Sequence, residues 1–263
     1  VFIVNVRLRR KSRFSARYRG VGNCWSSVLS LKSTFARLIL SIVAIAGGAP
    51  GIAHADALQQ QVLAAAKAVS PADFAFTQSV RFERTGVPAK QFIQRYDPRR
   101  GASAWTLIKV DDRAPTEKER KDLSKMAARG KVPSYAQNAD WFAAPATRIA
   151  TTPTSVTYRF TNLPKGSIKM GPMDTSANTI VEAVVNTAGR VPFIEKARFT
   201  SAKPFRMMMV AKVERFVITA TNRLTPDGRP VPETTATEFT GSLMGSAQTL
   251  RTRTLYSDVT PAR

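Results

Sequence analysis

The chain has 263 residues, 43% hydrophobic and 22% charged, and its 40 Lys and Arg against 18 Asp and Glu give a net charge of +22. It holds one histidine, His54, and one cysteine, Cys24. This inventory excludes a disulfide framework, a Cys/His zinc site and Cys-His or Ser-His catalysis from everything beyond residue 55.

The N-terminal segment carries nine Lys or Arg and no acid before Asp56. An apolar run, Leu38 to Ala46, follows the basic stretch, then Gly47, Gly48 and Pro50, then Ala53, His54 and Ala55. A basic region, a short apolar region, a helix-breaking stretch and an A-x-A site have the form of a secretory signal peptide cut after Ala55, with Ala53 and Ala55 as the cleavage residues. The apolar run is about half of the roughly 20 residues that span a bilayer. On this reading residues 1–55 are leader, His54 and Cys24 leave with it, and residues 56–263 form one soluble periplasmic domain. No Met precedes Met126; an over-extended start, with Val28 as an alternative, is the accompanying expectation.

Residues 56–70 predict a helix capped by Asp56, with Leu58, Val62, Ala65 and Val69 on one stripe and Pro71 ending it. Phe74, Phe76, Val80 and Phe82 then alternate with Thr77, Ser79, Arg81 and Glu83, the period of a half-buried strand. Further strands are expected at 90–96 and 104–110. The turn Val110 to Thr116 leads into a helix over 117–129, with Thr116 and Glu119 as a capping box. Residues 130–150 read as irregular, anchored by Trp141 and Phe142. From Thr152 onward the reading is strand after strand, at 156–160, 179–185, 191–200, 207–224, 234–243 and 247–256. Turn chemistry at each join implies consecutive antiparallel hairpins.

The expected fold class is α+β, a curved and mostly antiparallel sheet forming a half-open barrel, with one or two helices packed on its concave face. In element order this resembles the lipoprotein-carrier (LolA/LolB-like) fold of Gram-negative envelopes. The stretch Gln94 to Glu119, "QRYDPRRGASAWTLIKVDDRAPTEKE", is also similar to segments of exported proteobacterial proteins of unsettled function. The resemblance implies an apolar groove that binds a lipid or acyl chain in a carrier or sensor role. Candidate lining residues are Phe74, Phe76, Val80, Phe82, Trp105, Leu107, Met207, Met209 and Phe216, where the Met-rich 206–210 segment would adapt to variable apolar ligands. Each of these residues also fits a plain core.

Other chemistry is weak in this sequence. Asp111 and Asp112 read as a turn rather than a carboxylate pair. No phosphate loop, dinucleotide fingerprint or calcium loop is present, and no cofactor or metal is expected. Basic residues are dispersed among acids, as at Glu83-Arg84 and Glu195-Lys196, with no recognition motif, so nucleic acid is not an expected partner. The alternative reading is a non-enzymatic envelope module acting through its basic surface on an anionic membrane or a protein partner. An enzyme using Ser-Lys or paired carboxylates ranks third.

Overall fold

The computed structural model describes residues 56–127, 131–171, 173–207 and 211–262. The leader reading at 1–55, with Ala53 and Ala55, lies outside the described residues, as does Met209. Among the described residues no helix is long and apolar enough to cross a membrane.

The chain opens with helix α1 (Ala57–Ala68), as its apolar spacing predicts. Asp56 caps it, accepting the Gln59 amide at 2.9 Å. Strands β1 (Phe74–Arg84), β2 (Val87–Tyr96) and β3 (Trp105–Val110) follow. Helix α2 (Glu117–Ala127) starts with the expected capping box: Glu119 accepts the Thr116 amide at 2.8 Å, and Thr116 Oγ1 accepts the Glu119 amide at 3.3 Å.

The stretch read as irregular is more ordered than expected. It holds a 3-10 turn (Tyr135–Asn138), the short helix α3 (Ala139–Phe142) and strand β4 (Thr147–Thr152). Every residue of β4 is exposed, so no alternation marks it in the sequence. The remaining strands are β5 (Ser155–Phe160), β6 (Lys169–Met170), β7 (Met173–Asp174), β8 (Thr179–Asn186), β9 (Phe193–Ser201), β10 (Phe205–Met207), β11 (Ala211–Leu224), β12 (Pro230–Leu243) and β13 (Ser246–Pro261). The single long strand expected over 207–224 is two: β10 pairs antiparallel with β11, Met207 opposite Ala211.

The main sheet has the order β3-β2-β1-β13-β12-β11-β9-β8-β5-β4, every pairing antiparallel. This corrects the simple chain-order meander. The first strand, β1, lies beside the last, β13, with Val80 opposite Thr254. Local turn signals specify hairpins and carry no information about a pairing between opposite ends of a chain. The sheet is curved and open, with β3 and β4 at its edges. Since β3 and β4 are sequential, the chain between them must pass from one edge to the other. It does so through α2, the 3-10 turn and α3, which buries Tyr135, Trp141 and Phe142.

Period-2 alternation gives the sheet two unlike faces. The core face carries α1 and α3. Val62 and Ala66 of α1 pack with Trp141, Phe142, Tyr158, Phe160, Val181 and Ile194. Edge-on ring contacts of Trp141 with Phe142, Phe160 and Phe199, at 5.3–5.5 Å, knit this cluster. Gln59 ties the helices together, its buried amide donating to the carbonyls of Phe142 and Ala144, both at 2.8 Å.

Candidate functional site

The described candidates for the groove, Phe74, Phe76, Val80, Phe82, Trp105, Leu107, Met207 and Phe216, all lie on the core face by register. They fall into three environments. Phe76 and Trp105 belong to an aromatic cluster with Tyr96 and Tyr256, ring centroids 5.1–5.8 Å apart. Phe74 sits at its margin beneath the Arg229 guanidinium, 4.4 Å from the ring centroid. The cavity beside Phe74, Phe76 and Tyr256 holds about 20 Å³, the volume of about one water. Phe216 and Met207 belong to a second cluster with Val213, Phe205 and Phe239.

Between these clusters runs a strip formed by β3, β2, β1, β13, β12 and β11. Across it Phe82 stands opposite Thr252, Thr252 opposite Thr237, and Thr237 opposite Ile218. Phe82, Phe92, Leu107 and Leu250 are half-buried here, and Ile218 and Phe239, half-buried at the edge of the second cluster, border the strip. Val80 is buried at the strip's centre. Sequence reading missed Phe92, Ile218, Phe239 and Leu250, because only the register places them beside Phe82.

The strip also has polar members. Gln94 Nε2 donates to Gln78 Oε1 at 2.6 Å, and Gln78 Nε2 reaches the Tyr256 hydroxyl at 3.4 Å. Burial pushes the Tyr256 hydroxyl well above the ordinary tyrosine range. Gln94 is 5% and Thr254 0% exposed, yet Gln94 Oε1 and Thr254 Oγ1 have no hydrogen-bond partner among the described residues.

The outer face is different in kind. A cleft of about 560 Å³ lies across β9, β11, β12, β13 and β1. Val217, Thr219 and Ala236 line its centre, and Arg81, Arg198, Arg215, Arg251 and Arg253 stand around it. Arg81 pairs with Glu83 at 2.7 Å and Arg251 with Glu238 at 2.8 Å. Arg198, Arg215 and Arg253 form no ion pair among the described residues. No sequence expectation singled out this cluster.

Outside these two places, Glu119 and Asp111 hold local structure. Arg113 is the main cause that lowers Glu119 to about 2, with the Thr116 amide second. Asp111 and Asp112 occupy a turn with φ of 48° and 63°, and Asp111 accepts the Gln91 amide at 2.8 Å. Among the described residues, no three His, Cys, Asp or Glu come together as a metal site would require.

The chain matches no protein-family model and no curated protein. It is similar to the crystal structure of a LolA superfamily protein from Nitrosomonas europaea at 11% identity, over 78% of this chain and 92% of that one, with a TM-score of 0.36. At that identity no residue role is transferred.

Proposed function

We propose that the chain is an exported envelope protein that binds a lipid or acyl chain along the core face of its open sheet, in a carrier or sensor role. The observation that carries this reading is the half-buried strip of Phe82, Phe92, Leu107, Ile218, Phe239 and Leu250. These side chains lie between two packed clusters or, for Ile218 and Phe239, at the edge of one, on the same face as the helices. Acyl chains bind such surfaces by area burial, at about 0.8 kcal/mol per methylene.

The leader reading supplies the envelope location, and the domain assignment to 56–263 is part of the same proposal.

Uptake of a fluorescent fatty acid tests the reading. Phe82→Glu places a charge in the strip, whereas Thr157→Glu places one on the outer face of β5, away from the arginine cleft. The wild type and T157E should take up the probe, and F82E should bind it at least about tenfold more weakly while keeping its strand-rich circular dichroism. No uptake by the wild type would contradict the reading.

A further inference from the structure

We infer that the arginine cleft on the outer face is a docking site for the phosphate headgroups of an anionic lipid bilayer. The register builds it. Arg198 of β9 stands opposite Thr219 of β11, Thr219 opposite Ala236 of β12, Ala236 opposite Arg253 of β13, and Arg253 opposite Arg81 of β1. One line of residues across five adjacent strands therefore carries arginines at both ends and small side chains between. With strands about 4.8 Å apart, the Arg198 and Arg253 backbones are about 14 Å from each other. Arg215, on the same strand and face as Val217, stands over one side of this floor.

Two features show that this arrangement is short of anions. Arg81 and Arg253 are directly opposite each other, a like-charge pair that lowers stability in an antiparallel sheet. The acids nearest the cleft do not balance it: Glu83 and Glu238 are held by Arg81 and Arg251, and Glu182, which stands opposite Arg198, is held by Arg159. The cations Arg198, Arg215 and Arg253 are left for an external partner.

A bilayer fits better than one small anion. Arg95 and Lys109 extend the positive field along the same face by register, beyond what a single phosphate could neutralise. Leu255, two residues from Arg253 on that face, is 44% exposed. A cationic surface with an exposed leucine suits an interface that offers phosphates and an apolar layer together. Each Lys or Arg near an anionic membrane contributes about 1 kcal/mol, and salt screens that attraction.

This inference is independent of the core-face reading, because the two sites lie on opposite faces. Flotation with vesicles tests it, comparing phosphatidylcholine alone with phosphatidylcholine containing phosphatidylglycerol. The R198Q/R215Q/R253Q protein is compared with K118Q/R120Q/K125Q, which loses the same charge from the exposed face of α2. Any contribution of residues 1–55 is common to all three proteins. The wild type should float only with phosphatidylglycerol vesicles, and less at higher salt. The cleft variant should bind roughly a hundredfold more weakly, and the α2 variant within about threefold of wild type.

Removing Arg253 also relieves its repulsion with Arg81, so the cleft variant should keep the wild-type melting temperature or exceed it at low salt. Should the triple variant fail to fold, the single variants R198Q, R215Q and R253Q should each lower vesicle binding severalfold. Equal losses in the cleft and α2 variants would reduce the effect to net charge and overturn the proposal. Arginine-dependent binding of inorganic tripolyphosphate by a wild type that does not float would overturn it in favour of a small anion.

Discussion

The hydroxyl of Tyr158, on β5, donates to the carboxylate of Asp56 at 2.8 Å, 102 residues away in the chain. The same carboxylate caps α1 and accepts Arg148 Nε at 2.6 Å. One side chain thus starts the first helix and fixes it to β4 and β5. If the leader is cut after Ala55, Asp56 becomes the terminal residue, and its contacts hold the new end on the sheet.

Asp56 should therefore make stability depend on pH. Burial acts to raise its pKa, but the hydrogen bonds from Arg148, the Gln59 amide and Tyr158, with the Arg148 charge, outweigh it and lower it. A carboxylate lowered in the folded state contributes stability that is present above its unfolded pKa, near 4, and is lost as pH falls through the folded value. Glu119, at about 2, adds to the loss in the same direction. Asp56→Asn keeps a capping side chain but removes the charge that holds Arg148, and should lower stability at neutral pH by up to about 1 kcal/mol and flatten the acid limb. Thermal melts of both proteins between neutral pH and about pH 2 check this.

Ile194 sits where the β8–β9 register shifts, between Val184 opposite Lys196 and Val185 opposite Ile194. Side chains supply its backbone partners: its amide donates to the Tyr135 hydroxyl at 2.8 Å, and its carbonyl accepts Asn222 Nδ2 at 2.8 Å. Tyr135→Phe keeps the ring and removes the acceptor, leaving a buried amide unpaired. The expected cost is about 1–3 kcal/mol, read as a shift of the urea midpoint with the slope unchanged.

Gly241 lies opposite Val213 in the β11–β12 ladder, where a Cβ would collide with the Lys212 carbonyl oxygen. Gly241→Ala should destabilise by about 1–3 kcal/mol through overpacking. Gly189, with open space around the same position, should accept alanine with little change. Paired thermal melts of the two variants decide the point.

Much of the fold is legible in the sequence because one-sided burial writes a period. The β5 stretch alternates cleanly, β1 does so apart from Ala75 and Gln78, and the Thr116–Glu119 box marks its helix start. What stays hidden depends on distant pairing. The β1–β13 ladder joins the two ends of the described residues, and β4, exposed throughout, has no apolar partner to betray it. The arginine cleft is hidden for the same reason: Arg81, Arg198 and Arg253 are far apart until the register aligns them. The core-face strip was half legible, since alternation put Phe82 on an apolar side but could not name Ile218 or Phe239 as its neighbours.

Phe160 and Phe82 should respond differently to truncation. Phe160 is fully buried against Trp141 and Phe142, so Phe160→Ala should cost about 3–5 kcal/mol. Phe82 is half-buried on the strip, and Phe82→Ala should cost less than about 2 kcal/mol while weakening lipid uptake. Denaturant titration alongside fatty-acid binding separates the two roles.

The most direct test of lipid binding on the core face is native mass spectrometry with lipid extraction, on protein purified from the periplasm of an expressing bacterium. The account predicts a stoichiometric phospholipid or acylated peptide, retained by Thr157→Glu and lost from Phe82→Glu. A bare protein mass, with no lipid in the extract, would contradict it.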